Sequence, residues 1–107
     1  MKFIDAIRTK PLLFDGAIST VLSQRGLIQK GQRAEQLTLT HPADVMDIHT
    51  AYLDAGADVL TTNTFGANLP QFYTLTATSK WEELVYTAVL LARESVQLCE
   101  REAFVAL

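Results

Sequence analysis

The chain has 107 residues, of which 49% are hydrophobic and 20% are charged, and these are the proportions of a globular domain rather than of a disordered segment. Nine Lys and Arg residues against twelve Asp and Glu residues give a net charge of -3, which argues against binding to a nucleic-acid backbone. The single cysteine, Cys99, excludes an intrachain disulfide and any zinc site built from several cysteines of this chain.

No apolar stretch reaches the roughly 20 residues of a membrane helix, and the N-terminus has no apolar signal-peptide core. We therefore expect a cytoplasmic protein that binds neither membrane nor nucleic acid.

The N-terminal part of the chain predicts a strand, a turn and a short helix. The apolar run Leu12–Phe14 is too short for a helix, and the Asp-Gly pair at residues 15–16 is a turn signal. A short helix over Ile18–Arg25 is expected to end at Gly26, because glycine readily adopts the left-handed conformation that stops a helix.

The middle of the chain predicts a loop, a helix and a second strand. Gln29–Leu39 is polar and irregular, which favours a surface loop. Thr40 is the expected N-cap of a helix that has Pro42 in its first turn and ends at Gly56. The segment Asp58–Phe65 is rich in residues that favour strands.

The C-terminal part predicts a loop over Gly66–Thr78, a long helix and the start of a third strand. Ser79 and Glu82 form the pattern of a capping box at the start of the helix. One apolar side of this helix comprises Trp81, Leu84, Val85, Ala88, Leu91, Ala92, Val96 and Cys99. The run Phe104–Leu107 begins the third strand. Strands alternating with helices predict an α/β fold with a parallel sheet and right-handed crossovers.

Polar residues follow both of the first two predicted strands. In a parallel α/β fold, ligands bind at the carboxyl ends of the strands. Asp15 could accept hydrogen bonds from an ammonium group, Gly16 lets the backbone approach a ligand, and Asn63 and Thr64 could hold a small polar substrate. From these residues alone, a plain turn and a strand-end cap are the equally open alternative.

Three other side chains are interpreted as structural. His41 stands beside a helix start, His49 lies next to the apolar stripe of its helix, and Cys99 shares the apolar face of the long helix. The sequence has no phosphate-binding glycine pattern, no supported Ser-His-Asp set and no carboxylate cluster.

Four blocks of the sequence, in order, resemble the homocysteine S-methyltransferases, most closely the homocysteine-binding module of methionine synthase. They are Leu-Phe-Asp-Gly-Ala-Ile-Ser-Thr at residues 13–20, Leu-Thr-Leu-Thr-His-Pro at 37–42, the segment 47–58, and Thr-Asn-Thr-Phe-Gly-Ala-Asn at 62–68. The resemblance implies the N-terminal part of a (β/α)8 TIM barrel, about two βα units plus the start of strand three. Residues 1–107 would then form a partial homocysteine-binding domain, truncated at its C-terminus.

The resemblance also implies methyl transfer to the thiol of homocysteine, forming methionine. Family members hold zinc through three cysteines that lie further along the barrel, so the zinc ligands are expected to be absent from this chain. The methyl donor stays open among folate, cobalamin, betaine and S-methylmethionine. The substrate-binding residues implied by the resemblance are Asp15 for the ammonium, backbone N–H groups of Gly16, Ala17 and Ser19 for the carboxylate, and Asn63 and Thr64 beside them.

Three residues depart from the family pattern. Ile18 replaces the usual Met, Ser19 replaces a Gly, and Thr61 stands where many members carry Glu. We expect the chain alone to lack activity and bound zinc, and to self-associate through open sheet edges. The rival interpretations are a non-catalytic α/β binding module and a half-barrel that pairs with copies of itself.

Overall fold

The computed structural model describes residues 2–64 and 78–107, with residues 78–80 described as backbone only. Six of its elements are helical and two are strands within these ranges. In chain order they are α1 (Phe3–Thr9), α2 (Ser19–Gln24), a 3-10 helix (Ala34–Gln36), α3 (Leu37–Thr40), α4 (Pro42–Asp54), β1 (Val59–Thr61), α5 (Thr78–Leu98) and β2 (Phe104–Ala106).

The described strands pair in parallel, as the alternation of strands and helices predicts. β1 and β2 are in register with Val59 opposite Phe104, and Phe14 forms a single parallel bridge to Val59 on the other side. The predicted first strand is thus reduced to this bridge, which is flanked by hydrogen bonds from the Asp58 N–H to the Leu13 carbonyl (2.7 Å) and from the Asp15 N–H to the Val59 carbonyl (2.9 Å).

The predicted second strand, Asp58–Phe65, is too long at both ends. Thr62 still donates its N–H to the Ala106 carbonyl at 2.9 Å, but the Thr64 N–H turns back to the Thr62 carbonyl at 2.8 Å. This bend takes the chain out of the sheet directly after β1. Phe65 and the predicted loop over Gly66–Thr78 lie outside the described residues, except for the backbone of Thr78.

Helices α4 and α5 pack together and cover the sheet, and their apolar stripes form the core as predicted. Leu60 of β1 is fully buried against Leu53 of α4 and Ala92 of α5. Burial of such side chains contributes about 25 cal/mol per Å² of apolar surface removed from water. The larger buried cluster comprises Ile18, Leu22, Leu37, Val45, Ile48 and Leu91.

The prediction of a surface loop over Gln29–Leu39 is wrong in its second half. Residues 34–40 are helical, and Leu37 and Thr38 are fully buried. Leu37 packs into the main core cluster, so tertiary contacts fix a segment whose local sequence is polar. Helical structure therefore begins at Ala34, before the helix that was predicted to start after Thr40.

Two predicted helix caps are also wrong. Thr40 ends α3, and the N-cap of α4 is His41, with Pro42 at the first helical position as predicted. α5 begins at Thr78, so Ser79 lies inside the helix, and its side chain lies outside the description. The predicted stops at Gly26 and Gly56 are confirmed by their positive φ angles of 74° and 109°.

A short helix at the N-terminus was not predicted. α1 packs against the sheet through Phe3, whose ring meets the ring of Phe104 edge-on with centroids 5.5 Å apart. Seven residues are too few for an isolated helix to be stable, so α1 depends on this packing. None of the helices in residues 2–64 and 78–107 has the length and hydropathy needed to cross a bilayer.

The amino ends of the strands are tied together by Asp58. Its Oδ2 accepts the Leu13 N–H at 3.0 Å, and its Oδ1 lies 3.4 Å from Nη1 of Arg101 and 3.7 Å from Nζ of Lys10. The hydrogen bond from Leu13, helped by the two cations, holds the pKa of the Asp58 carboxyl below its ordinary value. Arg101 also donates to the Leu53 carbonyl at 2.8 Å, so this end of the sheet has a structural role.

Candidate functional site

A cavity of about 630 Å³ opens at the carboxyl ends of β1 and of the neighbouring segment around Phe14. The structure brings all six residues of the sequence-predicted site to this one cavity: Asp15, Gly16, Ala17, Ser19, Asn63 and Thr64. The position is the one at which parallel α/β folds bind ligands. The remaining described lining residues are Ile18, Gln32, Arg33, Ala34, Glu35, Thr61 and Thr62.

Asp15 follows Phe14 at the end of the first extended segment and is half-buried. Its backbone N–H donates to the Val59 carbonyl, and its Oδ2 accepts the Thr61 N–H at 3.0 Å. The other oxygen, Oδ1, is buried and accepts no hydrogen bond from the described residues. The Thr61 N–H therefore orients the carboxylate at the edge of the cavity, and a carboxylate in this position could accept hydrogen bonds from an ammonium group.

The turn after Asp15 is supported by Tyr52 of α4. The Tyr52 hydroxyl donates to the Ala17 carbonyl at 2.8 Å. A Cβ atom on Gly16 would lie 2.6 Å from that hydroxyl oxygen and 3.1 Å from the ring, so the absence of a side chain at residue 16 lets Tyr52 approach the turn. Ser19 is the first residue of α2, and no described residue other than glycine has a positive φ, so its replacement of the family glycine requires no strained backbone.

Three residues that follow β1 belong to the cavity lining: Thr62, Asn63 and Thr64. Asn63 is only 6% exposed, and its Nδ2 donates to the Ala34 carbonyl at 2.9 Å and to Thr38 Oγ1 at 3.1 Å. The Oγ1 atoms of Thr62 and Thr64 are 2.8 Å apart. Asn63 therefore ties the 3-10 helix to the end of β1, and its amide nitrogen is committed to the protein rather than to a ligand.

Sequence reasoning missed Arg33 and Glu35 as cavity residues because they fall in the segment predicted to be a surface loop. Glu35 is 6% exposed, and its Oε2 lies 3.9 Å from Nε of Arg33. The Arg33 N–H donates to Oε1 of Gln36 at 2.8 Å, which fixes the start of the 3-10 helix. The local sequence carries no signal for this burial, since it depends on the contact with Asn63.

His49 is the buried titratable group behind the site. Its ring is fully buried, and neither ring nitrogen has a hydrogen-bond partner among the described residues. Burial lowers the pKa of His49 below its ordinary value, and the negative charge of Asp15 acts in the opposite direction. The ring is therefore favoured in its neutral form.

The described residues do not form a metal site. No group of three or more His, Cys, Asp or Glu side chains among them is arranged to hold a metal ion. Sγ of Cys99 lies 3.0 Å from the Val96 carbonyl oxygen and 3.1 Å from that of Arg101, close to the end of α5. Cys99 thus contacts the backbone beyond α5 and does not line the cavity.

The family model for homocysteine S-methyltransferases matches residues 12–107. The S-methylmethionine–homocysteine S-methyltransferase BHMT2 of Mus musculus is 36% identical over 80 residues, which cover 75% of this chain and 21% of that protein. The methionine synthase of Mycobacterium leprae is 30% identical over 95 residues, which cover 84% of this chain and 8% of that protein.

A solved structure shares the fold. The homocysteine methyltransferase MmuM from Escherichia coli, in its metallated form, superposes with a TM-score of 0.81 at 23% identity, covering 95% of this chain and 38% of that one. The chain thus spans about a fifth of the mouse relative and well under half of the bacterial structure. With a family match over residues 12–107 and the shared α/β fold, the chain belongs to the homocysteine S-methyltransferase family.

Proposed function

We propose that the protein carrying this chain transfers a methyl group to the thiol of homocysteine, forming methionine, and that residues 1–107 supply part of the amino-acid-binding face. The proposal rests on the position of the Asp15 carboxylate and on its hydrogen bond. Asp15 is an acidic residue in the cavity lining at the strand end, and the Thr61 N–H orients its carboxylate by donating to Oδ2 at 3.0 Å.

The described residues would bind and orient homocysteine. Asp15 accepts hydrogen bonds from the ammonium, and backbone N–H groups of the turn over Gly16, Ala17 and Ser19 face the carboxylate. Thr64 offers a hydroxyl, and Asn63 holds the opposite wall in place. In the reaction, the homocysteine thiol first loses its proton to solvent. The thiolate sulfur then forms a bond to the methyl carbon while the bond from that carbon to the donor breaks, and the donor keeps the electron pair.

The zinc that the family resemblance implies would need ligands other than the described residues, since Cys99 lies away from the cavity. The proposed role of residues 1–107 is therefore to bind the ammonium and carboxylate groups of the substrate. The methyl donor is left open among folate, cobalamin, betaine and S-methylmethionine.

We also propose that the paired segments are neighbouring strands of a (β/α)8 barrel. The parallel order of Phe14, β1 and β2 with covering helices supports this arrangement. Leu13 and Phe14 are 60% and 51% exposed, as expected for apolar side chains that further strands would cover. The segment by itself would then be inactive and would associate through these surfaces.

The variant Asp15→Asn in the complete polypeptide tests the proposal. Asparagine retains an oxygen to accept the Thr61 N–H, so the fold is preserved while the negative charge is lost. Removing a charge-assisted hydrogen bond costs about 1.5–3 kcal/mol, so we expect the affinity for homocysteine to fall roughly 10- to 150-fold in calorimetric titration.

Asp47→Asn is the matched control, because Asp47 lies in an exposed ion pair with Arg25 at 2.7 Å. We expect this variant to bind homocysteine like the wild type. Equal affinities of the wild type and Asp15→Asn would contradict the assignment of Asp15 to the ammonium.

A further inference from the structure

A histidine ring and a carboxylate oxygen are buried behind the cavity without hydrogen-bond partners among the described residues. His49 of α4 is fully buried, and neither of its ring nitrogens is hydrogen-bonded to any of these residues. Oδ1 of Asp15 is likewise buried and has no donor among them, whereas Oδ2 accepts the Thr61 N–H. Buried polar groups are almost always hydrogen-bonded to protein or to ordered water, so these atoms require partners.

Helix α4 lies directly behind the turn that follows Asp15. The hydroxyl of Tyr52 donates to the Ala17 carbonyl at 2.8 Å, and it would lie 2.6 Å from a Cβ atom on Gly16. His49 precedes Tyr52 by three residues and therefore lies on the same face of the helix, one turn away. The negative charge of Asp15 acts on the His49 ring. One face of α4 thus supports the turn through Tyr52 and brings His49 near Asp15.

The two unpartnered groups are chemically complementary. Burial lowers the pKa of His49, so the ring is neutral and carries one N–H donor. The Asp15 carboxylate can only accept hydrogen bonds, and its Oδ1 is the oxygen that needs a donor. The ring and this oxygen are not in direct hydrogen-bond contact, so we expect one ordered water to link them, as buried waters commonly link such groups.

We propose that His49 is a positioning residue for substrate binding. Through one water, its ring N–H supplies a hydrogen bond to Oδ1 of Asp15 and fixes the carboxylate in the orientation that receives the substrate ammonium. This inference rests on the proposed function and adds to it a residue that acts through Asp15 without touching the substrate. Loss of the ring should therefore weaken ligands that carry an ammonium and spare ligands that lack one.

Calorimetric titration of the complete polypeptide under reducing conditions, at about pH 8 where histidine is neutral, tests the proposal. The ligands are homocysteine and 4-sulfanylbutanoate, which lacks the ammonium. The variants are His49→Leu, which removes both ring nitrogens, and His49→Gln, which restores an N–H donor. Ile48→Val is the control, because Ile48 is the adjacent residue of α4 and is equally buried but apolar.

We expect His49→Leu to weaken homocysteine about 3- to 10-fold and to leave 4-sulfanylbutanoate within about twofold, because only homocysteine has the ammonium that Asp15 receives. His49→Gln should recover most of the affinity for homocysteine. Combined with Asp15→Asn, His49→Leu should have little further effect, since the charge that it orients is already lost. Ile48→Val should bind both ligands like the wild type.

The inference and the proposed function fail in distinguishable ways. Suppose that Asp15→Asn weakens homocysteine as proposed, but His49→Leu weakens neither ligand, weakens both alike, or is not rescued by His49→Gln. His49 would then not position Asp15, and the proposed function would stand. If the wild type does not bind homocysteine, or Asp15→Asn binds it equally well, the proposed function fails and this inference fails with it.

Discussion

Asn63 connects two parts of the molecule that are distant in sequence, and its replacement by alanine has a predictable cost. The side chain is 6% exposed and donates two hydrogen bonds, of 2.9 Å to the Ala34 carbonyl and 3.1 Å to Thr38 Oγ1. With a net contribution of about 0.5–1.5 kcal/mol for each bond, Asn63→Ala should lower the free energy of unfolding by about 1–3 kcal/mol.

The assay is urea unfolding of the complete polypeptide, with hydrogen exchange to locate the effect. Faster amide exchange is expected in residues 34–40, whose attachment to β1 is lost, and little change in α4. Gln24→Ala is the control, because Gln24 is exposed at the end of α2 and surface substitutions usually change stability by less than about 0.5 kcal/mol.

A loss below about 0.5 kcal/mol for Asn63→Ala, with unchanged exchange over residues 34–40, would refute this reasoning. Asn63 would then be a cavity residue without a role in holding the 3-10 helix.

Three further predictions concern the buried His49, the turn at Gly16 and the isolated chain. Because burial lowers the pKa of His49, the unfolded chain binds a proton more readily, so stability should fall as the pH drops below about 6.5 towards the folded-state pKa; His49→Gln should flatten this dependence in urea titrations, and a slope equal to that of the wild type would contradict it. Gly16→Ala should cost about 1–3 kcal/mol through the collision with Tyr52, and Tyr52→Phe should relieve part of that cost; additive losses in the double variant would show that the two residues do not interact. The isolated 107-residue chain should be oligomeric or aggregated in size-exclusion chromatography with light scattering, whereas a monodisperse monomer with a sharp melt would show that it closes its own core.

The sequence predicts the features of this fold that depend on local pattern. The apolar stripes of α4 and α5 and the glycine stops at residues 26 and 56 have the predicted positions. The placement of Asp15 and Asn63 near one another follows from the parallel order of the strands, because the carboxyl ends of parallel strands meet at one edge.

Features that depend on distant contacts were not predictable in this way. α1 is stabilised through Phe3 against Phe104, a residue at the opposite end of the chain. Glu35 is buried because Asn63 draws the segment around Ala34 to the strand end. The polar composition of residues 29–39 predicts an exposed segment. The contact between Asn63 and Ala34 instead brings part of this segment into the interior.

The most direct test of the account is a crystal structure of the complete polypeptide with homocysteine bound. The account predicts the substrate in the cavity at the end of β1, with its ammonium nitrogen about 3 Å from the Asp15 carboxylate and its carboxylate facing the turn that begins at Gly16. Homocysteine bound at another surface, or in this cavity with its ammonium away from Asp15, would contradict the account.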